Sequence, residues 1–264
     1  MDAAMRKRFP IGLDKLGPQR VSSRSRQRDT ALVSAAPTPA LRAAASPVVA
    51  ALRQRMVATL ERDGAHARVL DVMAKVPRHA FVDAGLEGRA YEDVALPIGH
   101  EQTISSPAVV ARMLSLLFEG ASARRSSSLG RVLEVGTGCG YQAALLSMLG
   151  TSVISVEWLR PLLDVARRNL AAVDVRRHAL RLVLADGRLG HPPNAPYDSI
   201  IAAAAGEEVP KAWIDQLAVG GRIVAPAHVG SMQALIVIDR HDCGITRTEH
   251  DPVRFVPLES GVIL

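Results

Sequence analysis

Three glycines at alternate positions constrain this chain more than any other feature of its sequence. Gly136, Gly138 and Gly140 directly follow a short apolar run, Arg131–Val135, and directly precede a helical pattern. Glycines at such a junction allow the backbone to turn tightly and to approach a ligand closely. A strand, a glycine loop and a helix in this order are typical of α/β proteins, which bind ligands at the carboxyl ends of parallel strands.

The rest of the chain continues the alternation of strand and helix patterns. We therefore predict a three-layer α/β/α, Rossmann-like sandwich with a doubly wound, mostly parallel sheet. Helical periodicity over Val48–Leu60 and Ala67–Val76 predicts extra N-terminal helices. We interpret 95–107 as a loop, 121–130 as a linker and Phe255–Leu258 as a further strand. The other predicted strands are 131–135, 151–156, 180–184, 197–203, 221–225 and 234–238, and the other helices are 108–118, 140–149, 161–172 and 210–217.

Charge and composition divide the chain at residue 47. Residues 1–47 carry nine Lys or Arg and three Asp, an excess that accounts for the whole formal charge of +6. This segment mixes Arg, Ser, Ala and Pro without apolar periodicity, so we predict a disordered basic extension before a domain over 48–264. The balanced body does not favour nucleic-acid binding.

Two cysteines and the lengths of the apolar runs limit where the chain acts. Cys139 and Cys243 cannot form a disulfide framework, which suits a reducing, cytoplasmic location. No apolar run reaches the roughly 20 residues that a membrane-spanning helix needs. We therefore expect no membrane association.

The spacing around the glycines indicates which ligand they approach. A dinucleotide fingerprint G-x-G-x-x-G would need glycine at position 141, where Tyr141 stands. The observed G-x-G-x-G, with Glu134 two residues before it, resembles that of Rossmann-like methyltransferases that bind S-adenosylmethionine. Glu134 then suits the cationic amino-acid end of the cofactor, acting indirectly. Glu157, at the end of the next strand, suits the ribose hydroxyls, and Asp186 with Gly187 suits the adenine.

Several further segments together resemble the protein-L-isoaspartate O-methyltransferase family. The most specific is the loop Ala95–Ser105, which is similar to the family signature ALPIG-x-x-QTIS. The other segments that resemble family motifs, in chain order, are Val76-Pro77-Arg78 with Phe81-Val82-Asp83 (VPR-x-x-FV), Leu133–Tyr141 (LE-x-GTG-x-GY), Leu217–Arg222 (L-x-x-GGR) and Val253–Leu258 (VRFVPL).

The resemblance implies a reaction and a set of site residues. Such an enzyme transfers the methyl group of S-adenosylmethionine to the free carboxylate of an L-isoaspartyl or D-aspartyl residue, which begins repair through a succinimide. It needs no metal and no general base, because the carboxylate is already ionised at neutral pH. The family assigns the serine of QTIS, here Ser105, to the active site. The residues that this family and the glycine pattern implicate in cofactor binding are Gln102, Thr103, Ile104, Glu134, Gly136, Gly138, Gly140, Glu157, Asp186, Gly187 and Gln233.

One departure from the family pattern leaves alternatives open. The family usually has glycine before QTIS, whereas this chain has Glu101. A carboxylate there would repel an anionic substrate unless it points away. A relative that binds the cofactor without turnover, or a methyltransferase for another carboxylate, therefore remains an alternative to isoaspartyl repair. For the repair enzyme we expect isoaspartyl proteins and peptides as partners, no nucleic acid, and a monomer.

Overall fold

The computed structural model describes residues 46–264. The predicted basic extension, residues 1–47, lies outside this range except for Ser46 and Pro47, and it stays a prediction. Ser46 is the N-cap of the first helix, where its Oγ accepts a hydrogen bond from the backbone N–H of Val49. A serine at this position satisfies one of the free N–H groups of the first helical turn.

Seven α-helices lie within the described residues, and the first two are the predicted N-terminal helices. Short 3-10 helices lie at Arg78–Phe81, Ala84–Arg89, Arg177–Ala179, Gly187–Leu189 and Pro192–Asn194. The α-helices are α1 (Pro47–Arg62), α2 (Ala67–Lys75), α3 (Pro107–Phe118), α4 (Ala121–Ser126), α5 (Tyr141–Leu149), α6 (Arg160–Ala171) and α7 (Lys211–Gln216). None of them is long and apolar enough to cross a bilayer.

The strands form a two-stranded hairpin and a seven-stranded sheet. The strands are β1 (Leu96–Gly99), β2 (Gln102–Ile104), β3 (Arg131–Val135), β4 (Ser152–Glu157), β5 (Leu180–Leu184), β6 (Tyr197–Ala202), β7 (Leu217–Val229), β8 (Met232–His241) and β9 (Gly244–Val253). The large sheet has the order β5-β4-β3-β6-β7-β8-β9. Its first five strands run parallel, and β8 and β9 are antiparallel additions, so the predicted mostly parallel sheet is confirmed.

The order of the strands fixes where a ligand can bind. From β3 the chain winds outward through β4 to β5, and it then returns to the other side of β3 as β6. The connections therefore diverge between β3 and β6, which leaves a crevice at the carboxyl ends of these strands.

Two hydrophobic clusters cover the two faces of the sheet. Successive residues of β3 alternate between them, with Val132 in the cluster that includes α3 and α5 and Leu133 in the cluster that includes Trp213 of α7. Such alternation follows from the period of two in a strand. The sandwich with a helix layer on each face is the predicted one.

Three local predictions differ from the structure, and one strand was not predicted. The loop predicted over 95–107 contains the β1–β2 hairpin, and the linker predicted over 121–130 contains α4. The predicted strand Phe255–Leu258 is wrong, because this segment is irregular and makes only an isolated bridge from Pro257 to Ala205. The edge strand β9 was not predicted, because it is exposed on nearly every residue and carries no apolar alternation.

Candidate active site

The glycine loop connects β3 to α5 at the carboxyl edge of the sheet. Gly136 has φ +92° and Gly138 has φ +54°, values that residues with a side chain rarely adopt. A Cβ atom on Gly138 would lie 3.2 Å from Ile98 Cδ1 of the β1–β2 hairpin. Both glycines border a cleft with about 560 Å³ of empty space. The loop therefore presents bare backbone to the interior of this cleft, which we call the loop cleft.

Gly140 has a different surrounding. A Cβ atom there would lie 3.2 Å from Ala166 Cβ and 3.2 Å from Leu170 Cδ1, both on α6. Gly140 is buried and does not border the loop cleft. The third glycine of the motif thus packs against α6, and its predicted contact with the cofactor stays a prediction.

Glu157 ends β4, the parallel neighbour of β3, and it borders the loop cleft. Its Oε2 accepts a 2.8 Å hydrogen bond from the backbone N–H of Gly138, and its Oε1 accepts bonds from the N–H groups of Trp158 and Leu159. Burial raises the pKa of this carboxyl, and the backbone hydrogen bonds oppose that shift. The side chain is only 3% exposed, so the loop and the strand end hold it in one orientation.

Glu134 lies behind the loop cleft and is fully buried. Its Oε2 lies 2.5 Å from the hydroxyl of Ser155, which in turn lies 2.6 Å from the hydroxyl of Thr137. Its Oε1 has no hydrogen-bond partner among the described residues. Burial raises the pKa of Glu134 to about 8, against the effect of the Ser155 hydrogen bond. Glu134 therefore provides a buried acidic group that is linked to the glycine loop through two hydroxyls.

Asp186 follows β5 at the same edge of the sheet. One carboxylate oxygen accepts a 2.9 Å bond from the N–H of Arg188, and the other accepts a 2.8 Å bond from the N–H of Gly261 in the C-terminal segment. Gly187 borders the loop cleft, and the carboxyl of Asp186 is engaged beside it by these two donors. The predicted contact of Asp186 with an adenine would use the remaining lone pairs of the Asp186 carboxylate oxygens.

The structure brings most of the predicted cofactor residues to one cleft. Ile104 borders an adjoining pocket together with Ser105, and Gln233 does not border the loop cleft. The predicted residues that do border it are Gln102, Thr103, Gly136, Gly138, Glu157 and Gly187.

Ser105 borders a second, wider cleft with about 1050 Å³ of empty space, which we call the serine cleft. Thr103 and Ala203 border both clefts, so the two clefts adjoin each other. Ser106, not Ser105, occupies the N-cap of α3. The Ser105 hydroxyl makes no hydrogen bond with any other residue in 46–264, so it is available to a ligand. Capping of α3, the other role open to this serine, is not observed.

Glu101 lies at the tip of the β1–β2 hairpin. His100 and Glu101 both have positive φ, +53° and +58°, as the two central residues of a tight hairpin turn. Glu101 is exposed and borders neither the loop cleft nor the serine cleft. Its carboxylate therefore does not line the cleft that Ser105 borders.

The segment after β9 forms a wall that the sequence interpretation did not assign to the site. Val256 borders both clefts, and Pro257 and Leu258 border the loop cleft. Gln233 holds this segment, because its Oε1 accepts a 2.7 Å bond from the N–H of Phe255 and its Nε2 donates to the Phe255 carbonyl. Gln233 thus supports the wall, and its predicted contact with the cofactor stays a prediction.

Trp158 is a second residue that the interpretation missed. It borders the loop cleft immediately after Glu157. An aromatic residue directly after the predicted ribose acid is the signal that could have assigned it to the site. In the part of the chain that the structure describes, no group of three or more His, Cys, Asp or Glu side chains could hold a metal ion.

Comparisons with known proteins agree with this geometry. The sequence model of the family "Protein-L-isoaspartate(D-aspartate) O-methyltransferase (PCMT)" matches residues 51–262. A protein-L-isoaspartate O-methyltransferase of Methylibium petroleiphilum is 55% identical over 215 residues, which cover 80% of this chain and 78% of the relative.

Solved structures share the fold. A protein-L-isoaspartate O-methyltransferase structure matches with a TM-score of 0.68 and 26% identity, over 80% of this chain and 67% of that one. A structure from Plasmodium falciparum in complex with S-adenosyl-L-homocysteine matches with a TM-score of 0.65 and 23% identity, over 78% of this chain and 98% of that one. The second match shows the shared fold alone.

Proposed function

Because this chain belongs to the protein-L-isoaspartate(D-aspartate) O-methyltransferase family, we propose that its two adjoining clefts hold the two substrates of that reaction. The chain is an S-adenosylmethionine-dependent enzyme that methylates the free carboxylate of L-isoaspartyl residues in proteins and peptides. In our proposal the cofactor occupies the loop cleft and the isoaspartyl carboxylate occupies the serine cleft. The observation that carries this assignment is that Thr103 and Ala203 border both clefts, so the two ligands meet there.

The residues of the loop cleft fit a nucleoside with a cationic amino-acid end. Side chains in place of Gly136 and Gly138 would intrude on this cradle, and Glu157 offers carboxylate oxygens to ribose hydroxyls. Glu134, with an unpartnered buried oxygen, supplies an acidic group behind the loop for the cationic end. Gln102 and Thr103 of β2 would close the cofactor from the hairpin side, with Gly187 and Asp186 at the adenine.

Ser105 supplies the contact to the second substrate. Its free hydroxyl donates a hydrogen bond to one oxygen of the isoaspartyl carboxylate and leaves the other oxygen to attack. When bound, S-adenosylmethionine supplies a methyl group that its sulfonium sulfur already activates. The chain therefore needs to align the attacking oxygen with the methyl carbon and to exclude water, and it needs no group that accepts a proton.

A pair of peptides that differ only in one linkage tests this function. Labelled S-adenosylmethionine is incubated with an isoaspartyl peptide and with its normal aspartyl counterpart, and base-labile label is counted. We expect label on the isoaspartyl peptide alone. Label on both peptides would indicate a methyltransferase for another carboxylate, and cofactor binding without label would indicate a binding module.

Two neighbouring serines separate the catalytic role from a structural one. We expect Ser105→Ala to lower kcat/KM by about 10- to 100-fold, as for loss of a hydrogen bond to a charged group. Its affinity for S-adenosylhomocysteine stays unchanged. Ser106→Ala alters the neighbouring serine, which also borders the serine cleft and makes no side-chain cap bond; it is the matched comparison, and we expect it to keep at least half of the activity. Equal losses in both variants would contradict the assignment of Ser105.

We also propose that the enzyme acts as a monomer in the cytoplasm. All residues assigned to the two clefts come from one chain, so no second copy is needed to complete the site. Cys139 is buried and Cys243 is exposed, and both are free thiols, which supports a reducing compartment.

A further inference from the structure

Arg78 is a buried cation next to the active-site serine. It belongs to the segment Val76-Pro77-Arg78, to which the reaction has so far given no role, and its side chain is fully buried. Its Nη2 donates a 2.6 Å hydrogen bond to the backbone carbonyl of Ser105, and its Nε donates a 2.7 Å bond to the carbonyl of Ala90. One guanidinium therefore connects Ala90, which follows the 3-10 helix Ala84–Arg89, to the residue that faces the substrate carboxylate.

The guanidinium has no carboxylate partner within residues 46–264. Its other neighbour is the aromatic ring of Tyr141, whose centroid lies 4.9 Å from the guanidinium carbon, and its Nη1 has no hydrogen-bond partner. Burial lowers the pKa of Arg78, and the groups that oppose this shift are Tyr141, Cys139 and Tyr91 rather than an acid. A buried charge is costly when it is unpaired. Among the described residues, the positive charge of Arg78 is thus left without a counterion.

We propose that Arg78 is a positioning residue that fixes Ser105 through its carbonyl and provides the positive charge that attracts the isoaspartyl carboxylate. This inference rests on the proposed function, because it takes the serine cleft to be the carboxylate site. The substrate anion then supplies the missing counterion, and the neutral methyl ester that forms from it does not. Arg78 accordingly favours bound substrate over bound product.

The charge balance of the reaction predicts which kinetic constant depends on Arg78. A carboxylate anion and a sulfonium cation combine, a C–O bond forms, the C–S bond breaks with its electron pair left on sulfur, and both products are neutral at the reacting atoms. Charge therefore disappears on the way to the transition state. A fixed cation beside the carboxylate stabilises the bound anion at least as strongly as the transition state, so it lowers KM without raising kcat.

The test measures the affinity for two peptides in the presence of saturating S-adenosylhomocysteine. One peptide carries the isoaspartyl carboxylate, and the other carries the neutral amide at the same position. We expect Arg78→Met to weaken binding of the carboxylate peptide by about 10- to 100-fold, as for loss of a partly desolvated charge contact. Binding of the amide peptide changes by less than threefold. The preference of the enzyme for the carboxylate peptide over the amide peptide is therefore largely lost, and kcat stays within threefold of the parent value.

A second variant and a control keep the roles of charge and packing apart. Arg78→Lys keeps the charge while losing the fork that reaches two carbonyls, and we expect it to retain most of the preference for the carboxylate peptide. Arg240→Met removes a half-buried arginine whose Nη1 donates a 2.8 Å bond to the Leu217 carbonyl. Arg240 borders neither cleft, so we expect this variant to leave peptide affinities unchanged.

Each other outcome would overturn a specific claim. If Arg78→Met weakens both peptides equally, or if Arg78→Lys loses the preference as fully as Arg78→Met, then Arg78 only supports the fold and the inference fails. If the parent enzyme methylates no isoaspartyl peptide, the proposed function fails first. Thermal unfolding shows whether each variant is folded. If Arg78→Met does not fold, the peptide preference of Arg78→Lys is compared with that of the parent to decide the role of charge.

Discussion

The backbone N–H of Gly138 donates a 2.8 Å hydrogen bond to Oε2 of Glu157. This bond connects the acid at the end of β4 to the middle of the glycine loop. The glycine loop and Glu157, the two features that indicated a nucleoside cofactor, therefore form one hydrogen-bonded unit. Because Glu157 also accepts two further backbone N–H groups through Oε1, it orders the loop in addition to facing the cleft.

We expect Glu157→Gln to weaken binding of S-adenosylhomocysteine by about 10- to 100-fold, because hydrogen bonds to charged groups contribute about 1.5–3 kcal/mol. An amide has one oxygen where the carboxylate has two, so its NH₂ group must face either Gly138 or the Trp158 and Leu159 amides. Titration calorimetry measures the affinity. Asp164→Asn, which alters an exposed acid paired with Arg167 on α6, is the control that keeps parental affinity. Equal affinities for Glu157→Gln and the parent would remove Glu157 from the site.

We expect replacement of Gly138 by alanine to weaken cofactor binding and replacement of Gly140 by alanine to lower stability. Gly138→Ala places a Cβ atom at the loop cleft, 3.2 Å from the flexible end of Ile98. We expect at least about tenfold weaker cofactor binding, with a small loss of stability of about 1 kcal/mol from the left-handed backbone.

Gly140→Ala instead forces a Cβ atom against Ala166 and Leu170 of α6, with φ +91°. We expect its cost to appear in stability, at about 2–3 kcal/mol, because neither the strained backbone nor the packed helix can yield. The cofactor affinity of the folded fraction stays near the parental value. Thermal unfolding and calorimetry on the same two proteins measure both effects, and a reversed pattern would place Gly140 at the cofactor.

Glu134 predicts a pH dependence of stability. Burial raises its pKa to about 8 in the folded chain, against an ordinary value near 4.5 when unfolded. Between these values the folded state holds a proton that the unfolded state has released, so stability falls as pH rises. The contribution of the Glu134 proton to the free energy of unfolding is fully present below about pH 4.5 and is lost progressively by about pH 8. Glu134→Gln carries no such proton, so we expect it to flatten this dependence.

The measurement for Glu134 is denaturant unfolding at pH 5.5 and pH 8. We expect the parent to lose more stability between these two values than Glu134→Gln does. Glu92→Gln, which changes an exposed acid paired with Arg89, should show the slope of the parent. If the two Glu variants show the same slope, Glu134 is ionised throughout and its charge is compensated in the folded chain.

The central strands that line the site followed from periodicity, whereas the β1–β2 hairpin and the contributions of distant segments did not. β3, β4 and β6 are continuous buried runs, and the glycine loop and Glu157 lie directly at their ends, so local patterns suffice to assign them. Local patterns do not suffice for β9, an edge strand whose residues are mostly exposed and show no alternation of apolar and polar side chains. Its position became clear only through pairing with β8.

Several hydrogen bonds within the site join residues that are far apart in the sequence, and local patterns do not predict them. Gln233 matched a family glutamine near the cofactor, but its amide bonds Phe255, 22 residues further along the chain. Similarly, Gly261 donates to Asp186 from 75 residues away. Such contacts depend on the folded arrangement of separate segments, and no local spacing encodes them. The role of Arg78 was hidden for the same reason, since it lies 27 residues before Ser105.

The hairpin tip gives the last prediction, because it separates backbone strain from charge. Glu101 has φ +58° and an exposed side chain that borders neither cleft. We expect Glu101→Gly to stabilise the protein by about 0.5–1 kcal/mol, since glycine adopts this conformation without steric cost. Glu101→Gln removes only the charge and should leave stability unchanged. Both variants should keep KM for the isoaspartyl peptide within twofold of the parent, measured by steady-state methylation. A several-fold lower KM in both would show that the Glu101 carboxylate repels the substrate, contrary to its position in the structure.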